Sequence, residues 1–249
     1  MKHTLIYPAG STEACRYASL QLHQLGFPLT DHPTPEITHL LLDVPSFRPD
    51  GHFRSGEDPE QLLSMLPRYI TVAGGNLNHP SLKDYPTIDF LSDAYYLAQN
   101  AAITADCALK VAYPLLKTCW SDTPTLILGW GRIGKCLVRL LKGLGCPVTV
   151  VVRRESDRVI LQALGLHAIA FDELPHLSQP FRLLFNTVPA PLPDMPEMES
   201  CIRIELASQS GLTGNEVVIA RGLPGAYTPE SSGRLIAETF YRLWKENSR

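Results

Sequence analysis

The sequence predicts an α/β protein built on a doubly wound parallel sheet, preceded by a smaller open α/β layer. Three observations predict this. Short apolar, β-branched runs alternate with helical stretches along the chain, the pattern of buried parallel strands joined by crossover helices. Residues 124–153 hold a strand, a glycine turn, a helix and a second strand in one unit. The chain has 249 residues, 45% hydrophobic and 19% charged, enough for one large core or two modest ones.

The first layer starts with a strand at 4–7. Pro8-Ala9-Gly10-Ser11 turns into a helix over 12–25, which Gly26 ends. An apolar strand follows at 39–44. Residues 45–59 are rich in Pro, Gly and charge and read as a loop. A helix at 59–66 and a strand at 69–73 lead to Gly74-Gly75-Asn76, and a short strand follows at 87–90. This is a flavodoxin-like layer without a glycine fingerprint, expected as a substrate-side domain over 1–93.

The second domain is expected over 94–227. It opens with a helical stretch at 94–116, carrying Tyr96, Ala101, Ala105, Ala108, Leu109, Ala112 and Leu116, read as a linker helix. A strand at 125–128 runs into a helix with Ile133, Leu137, Leu140, Leu141 and Leu144 on one face, stopping at Gly145. A second strand ends in Val150-Val151-Val152. Then come a helix at 157–164, a weak strand at 168–170, and strands at 182–186, 201–207 and 217–220. The last helix, 228–246, has Pro229 at its first position and a stripe of Leu235, Ile236, Phe240, Leu243 and Trp244. That stripe needs a surface, and the first domain is the candidate.

Gly129, Gly131 and Gly134 form G-x-G-x-x-G between a strand and a helix, the fingerprint of a Rossmann dinucleotide-binding unit. The first glycine permits the tight turn and the second lets the backbone approach a pyrophosphate. The third lets helix and strand pack closely, and the pyrophosphate caps the helix. Arg132 and Ile133 complete the loop; the Arg132 side chain either adds charge near the phosphates or points to solvent.

An NAD site usually places an acid after the second strand to bond the ribose hydroxyl. Here Arg153, Arg154 and Ser156 stand there, with Glu155 read as lying past the strand end in a loop. Guanidinium forks match phosphate oxygens, so NADP is favoured, with NAD and an ordinary solvated strand end as the other readings.

Ligands of open parallel sheets bind outside the carboxyl ends of the strands. Three such ends stand out: Asn186-Thr187-Val188-Pro189, then Ser208 with Gln209-Ser210-Gly211, then Gly222 with Leu223-Pro224. Hydride transfer needs little covalent help beyond a proton acceptor. Asp106, on the linker helix, is the carboxylate for that role or else a solvated helix charge. Asp106 and Ser208 are the candidate catalytic residues.

Other chemistries lack their residues. The eight histidines form no H-x-x-x-H or H-E-x-x-H pair, which argues against a metal site. Neither G-x-S-x-G nor a P-loop is present. The six cysteines include no C-x-x-C and read as reduced; Cys107, Cys136 and Cys146 read as buried core residues. A net charge of −3 gives no field for nucleic acid. No apolar run is long enough to span a membrane and no leader pattern opens the chain, so a cytoplasmic location is expected.

At its strand ends the chain resembles the family of dipicolinate synthase A-subunits, which are sporulation enzymes. The matching stretches are residues 128–134, Asn186-Thr-Val-Pro189, Glu205-Leu-Ala-Ser208 and Gly222-Leu-Pro-Gly225 followed by Pro229. The resemblance runs from about Asp89 to the C-terminus. The first 80 residues match in layout only and read as shorter than the family's N-terminal domain. It implies oxidation of dihydrodipicolinate, a small dicarboxylate, to dipicolinate with NADP. It also implies a flavoprotein-like second subunit, while a homo-oligomer stays open. Two departures stand out. Ser208-Gln-Ser-Gly-Leu212 replaces a Ser-Arg-Pro-Gly-Gly pattern, removing a cation, and Asp106 replaces a Glu. The wider D-2-hydroxyacid dehydrogenase fold is also similar, but Gln209 and Gly225 fall near its expected Arg and His. Those losses favour the dipicolinate-type activity over the hydroxyacid type. The alternatives are an NADP-binding regulatory subunit without turnover and, less favoured, a 2-hydroxyacid or amino-acid dehydrogenase.

Overall fold

The computed structural model describes residues 4–247, apart from 179, 194, 196, 197, 199 and 215. The chain forms two compact units, Met1–Asn100 with Pro224–Arg249, and Ala101–Leu223.

The first unit holds strand β1 (Ile6–Pro8), helix α1 (Glu13–Gln24), β2 (His39–Leu41), α2 (Pro59–Ser64), β3 (Thr71–Gly74) and β4 (Thr87–Asp89). The four strands are parallel, in the order β1-β2-β3-β4. Leu29 adds a parallel bridge to Ile6 on the free side of β1. Counting that bridge as a strand gives the order 2-1-3-4-5 of the flavodoxin plan. A single bridge has no hydrophobic run to announce it, so nothing local marks it. Ile37, Leu40, Leu42, Phe53, Leu62 and Val72 are core residues of this unit.

Helix α3 (Ala94–Ala112) starts in the first unit and ends in the second. It stops four residues before the expected end, giving way to a 3₁₀ turn at Tyr113–Leu115. Pro114 inside that turn lacks the N–H that would continue the helix.

The second unit continues with β5 (Thr125–Leu128), α4 (Arg132–Gly143), β6 (Val148–Val151), α5 (Glu155–Ala163), β7 (His167–Ile169), β8 (Leu183–Asn186), β9 (Ile202–Glu205) and β10 (Val217–Ile219). Its six-stranded sheet is parallel, in the order β10-β9-β8-β5-β6-β7. This is the doubly wound dinucleotide-binding order, with its switch point between β5 and β8. Both faces of the sheet are covered. Ile127 joins Ala105, Ala108, Leu137 and Leu141 on one side, while Leu126, Leu128, Val151 and Leu184 share the other core. Among the boundaries that move, two bear on the site. Helix α5 begins at Glu155, so this residue belongs to a first helical turn rather than a loop. Strand β9 ends at Glu205, where the chain bends and the Ala207 N–H turns back to the Glu205 carboxylate at 2.9 Å.

The chain returns to the first unit through the short helix α6 (Leu223–Tyr227) and closes with α7 (Pro229–Asn247). Helix α7 buries Leu235, Ile236 and Phe240. Phe27 meets Phe240, Tyr241 and Trp244 edge-on, with ring centroids 5.6, 6.1 and 5.1 Å away. Gly233 lets α7 close on α1: a Cβ there would stand 2.5 Å from the Ala14 carbonyl oxygen. Arg242 Nη2 reaches Asp93 at 2.6 Å. Burial opposes ionisation of Asp93, but the Tyr96 N–H and Arg242 outweigh it and hold the carboxyl below its ordinary range.

Among the described residues the cysteines form no disulfide; Cys15, Cys107, Cys146 and Cys201 are buried. Cys136, expected in the core, is only half-buried, and Cys119 is exposed. Burial, with Asp43 nearby, pushes the Cys15 thiol up to about 12. Among the described residues no helix is long and apolar enough to cross a membrane.

Candidate dinucleotide site at the switch point

The three glycines after β5 have three different surroundings. Gly129 has φ +99°, in the left-handed region, and a Cβ there would stand 2.6 Å from Thr187 Oγ1 and 2.9 Å from Val188 Cγ2. A Cβ on Gly134 would stand 2.3 Å from the Gly129 carbonyl oxygen. The chain's own packing therefore requires both. Gly131 is different: a Cβ there would meet nothing within 4 Å. Its bareness is not needed by the fold and leaves the main chain open to a ligand.

Gly131 is also the N-cap of α4, and no side chain caps that end. The first turn carries no acid and includes exposed Arg132 and Lys135. Ile133, beside Arg132, is half-buried and packs on the core. An uncapped helix N-terminus with nearby cations suits an anion. The corresponding turn of the first unit is the reverse case. There the buried Asp43 accepts from the Ser11 and Thr12 N–H groups at 2.8 and 3.0 Å and from the Thr12 hydroxyl. Thr12 caps α1 through the Cys15 N–H at 3.2 Å. That turn is filled by its own chain.

Thr187 joins the two strands of the switch point. Its N–H and hydroxyl both donate to the Leu128 carbonyl oxygen, at 3.0 and 2.8 Å. Asn186, expected as a cofactor contact, is fully buried, so its side chain instead holds the loop. Its Oδ1 accepts from the Val188 N–H at 2.9 Å and its Nδ2 donates to both Glu205 oxygens at 2.9 Å. Val188 is half-buried and Pro189 exposed. Glu205, fully buried at the end of β9, is a site residue to which the sequence alone assigned no role. An acid at the carboxyl end of a strand carrying Ile202 and Ile204 was its available signal.

At the end of β6, Arg153 is exposed and its guanidinium carbon lies 5.9 Å from the Phe171 ring centroid. Arg154 is the N-cap of α5, and Ser156 is exposed in the first turn of that helix. Glu155 and Asp157 share the turn. The two arginines and the serine are thus gathered at one strand end, with two acids beside them.

Ser208 is exposed in the loop after β9. Gly222 is exposed with φ +64°, and Pro224 lies in α6, in the first unit. Asp106 forms an i,i+4 ion pair with Lys110 at 3.1 Å, its side chain 55% exposed. This is the geometry of a solvated helix charge. In the first unit Arg16 pairs with Glu13 at 2.8 Å, and Arg48 donates to the Arg54 carbonyl oxygen at 2.7 and 3.0 Å. Among the described residues no group of His, Cys, Asp and Glu could hold a metal ion.

No protein-family model matches the chain. A curated relative, the A-subunit of dipicolinate synthase from Bacillus subtilis (strain 168), is 27% identical over 132 residues. That match covers 48% of this chain and 44% of the relative, so it spans less than half of the relative's length. The crystal structure of the dipicolinate synthase A-subunit from Bacillus halodurans matches with a TM-score of 0.80 at 18% identity, over 97% of each chain. The transhydrogenase from Sinorhizobium meliloti matches with a TM-score of 0.67 at 13% identity, over 98% of this chain and 94% of that one. The chain is thus similar to the dipicolinate synthase A-subunit and has the α/β dehydrogenase fold. The first 80 residues, expected to fall short of the family's N-terminal domain, lie within a match over nearly the whole of both chains.

Proposed function

We propose that this chain is an NADP-dependent oxidoreductase acting on a small ring dicarboxylate, with dihydrodipicolinate the substrate that the resemblance implies. The supporting observation is the bare Gly131 cradle at the uncapped N-terminus of α4, on the switch point of a doubly wound sheet. The fold does not need that glycine bare, but a pyrophosphate does. Residues 129–134 would hold the pyrophosphate. Arg153, Arg154 and Ser156 would take the 2′-phosphate of the adenosine ribose. The loops after β8 and β9, with Gly222, would border the nicotinamide half.

When bound, the nicotinamide supplies the hydride acceptor. The dihydropyridine ring loses a hydride and a proton and becomes the aromatic pyridine dicarboxylate, so two electrons and two hydrogens are accounted for. The chain's part is to orient the ring, exclude water and take up the proton. In this reading Asp106 accepts the proton and Ser208 bonds the substrate.

A second reading is a coenzyme-binding subunit without turnover. Asp106 already paired with Lys110, and Gln209 where the resemblance expects a cation, favour it. One experiment separates the two. Purified chain, NADP and dihydrodipicolinate should generate NADPH, read at its absorbance band. Failure of turnover, also in the presence of a flavoprotein-like second subunit, refutes the enzyme reading. NADP uptake by calorimetry without turnover supports the second one.

A further inference from the structure

Glu205 is a fully buried carboxylate that the proposed chemistry does not use. It receives donors from two strand ends. Asn186 Nδ2, at the end of β8, reaches both oxygens at 2.9 Å. From the loop that follows β9 come the N–H groups of Ala207, Gly211 and Leu212 at 2.9, 2.9 and 3.0 Å, and the Ser210 hydroxyl at 3.4 Å. Every partner is a donor, which suits a group whose two oxygens only accept. Among the described residues no cation pairs with it.

The bonds run on from there. Asn186 holds Val188, and Thr187 between them clamps the Leu128 carbonyl beside Gly129. The two loops are also pressed together. A Cβ on Gly211 would stand 2.6 Å from the Ala190 carbonyl oxygen and 3.1 Å from Asn186 Nδ2. A connected path thus links the carboxyl ends of β9, β8 and β5. On the other side of the switch point β6 and β7 end in apolar Val151 and Ile169, and the glycine turn meets β6 through main chain, the Gly129 N–H donating to the Val151 carbonyl oxygen at 2.9 Å.

We propose that Glu205 is a positioning residue for the nicotinamide half of the site. It holds the loops after β8 and β9 in register with the glycine turn, while the adenosine half at β6 makes no bond to this carboxylate. The inference rests on the coenzyme reading above. Burying a charge is a poor way to gain stability. It is a good way to fix two irregular loops, because a carboxylate can satisfy several main-chain N–H groups that no strand partner reaches. Glu205 and Asn186 are both fully buried in the chain's own packing, so changing either is expected to act on coenzyme binding indirectly.

The test compares NADP with 2′,5′-ADP, which carries only the adenosine half. Both are titrated by calorimetry into the full chain and into Glu205→Gln, whose amide turns a donor toward donors. The expected result is NADP binding weakened by about tenfold, with 2′,5′-ADP affinity unchanged. Asn186→Ala cuts the same path with less damage, should Glu205→Gln not fold, and should give the same pattern. The double variant should lose no more than the larger single loss, because both act through one path. Equal losses for both ligands would show a general fold effect and overturn the proposal, as would unchanged NADP affinity. A wild-type chain that binds neither ligand overturns the coenzyme reading itself, and this inference with it.

Discussion

Gly131 and Gly134 should fail in opposite ways when given a side chain. Gly131 has an ordinary φ of −77° and open space where its Cβ would project. Gly131→Ala therefore costs the fold only the weaker helix cap of alanine, about 1 kcal/mol at most. For a chain of this size that lowers Tm by roughly 2–4 °C. The same methyl stands where a phosphate oxygen would meet the main chain, so a charge-assisted hydrogen bond worth about 1.5–3 kcal/mol is lost. That is about tenfold to a hundredfold in the Kd for NADP. At Gly134 the Cβ starts 2.3 Å from a carbonyl oxygen and 3.2 Å from its carbon, and backbone cannot swing aside like a side chain. Gly134→Val should cost about 3 kcal/mol, at the upper end of overpacking penalties, and lower Tm by roughly 6–12 °C. Trp130, within the turn itself, reports binding through energy transfer to NADPH, and a thermal melt reports stability. Should Gly131→Ala bind NADPH like wild type, the pyrophosphate does not rest on this loop and the reasoning fails. It fails equally if Gly134→Val melts with wild type, since the packing role of that glycine is then wrong.

Other consequences follow from the same geometry. Arg153→Asp should weaken NADP binding by about 1–3 kcal/mol, the loss of a charge-assisted bond, and leave NAD much less affected; parallel titrations decide it. Gly233→Ala, whose Cβ would stand 2.5 Å from both the Ala14 carbonyl oxygen and Tyr17 Cβ, should destabilise the chain by roughly 1–3 kcal/mol in urea melts. An unchanged midpoint would refute the close α1–α7 crossing. Burial pushes His39 down to about 4 from its ordinary 6.5, so on acidification the unfolded chain takes up the proton first. That part of the stability is complete above about pH 6.5 and drains as the pH falls toward 4; His39→Gln should flatten the profile there.

Strand β5, the glycine turn and α4 were legible because their signals are local. A strand with the apolar run Leu126-Ile127-Leu128, a turn chemistry and a helical stripe all lie within one short stretch. The parallel, doubly wound class followed from the same alternation, but the strand order did not, since the two sheets share the alternation and differ in order. The proposed roles of Gly129, Gly131 and Gly134 could be assigned by analogy, but only the folded chain separates them. Two are filled by Thr187 and by the Gly129 carbonyl, and one faces open space. Asn186 and Glu205 were visible as letters at strand ends, and their partnership was not. They lie 19 residues apart in the chain and become neighbours only because β8 and β9 pair in register, Asn186 opposite Glu205. The Leu29 bridge was invisible for a related reason: one residue of sheet leaves no periodicity. Sequence by itself determined which segments become strand, turn and helix, because those choices rest on side chains within a few residues. Tertiary structure alone decided which turn is filled by Asp43 and which stays open, and which carboxylate is buried. Those outcomes depend on donors and acceptors brought together from distant parts of the chain.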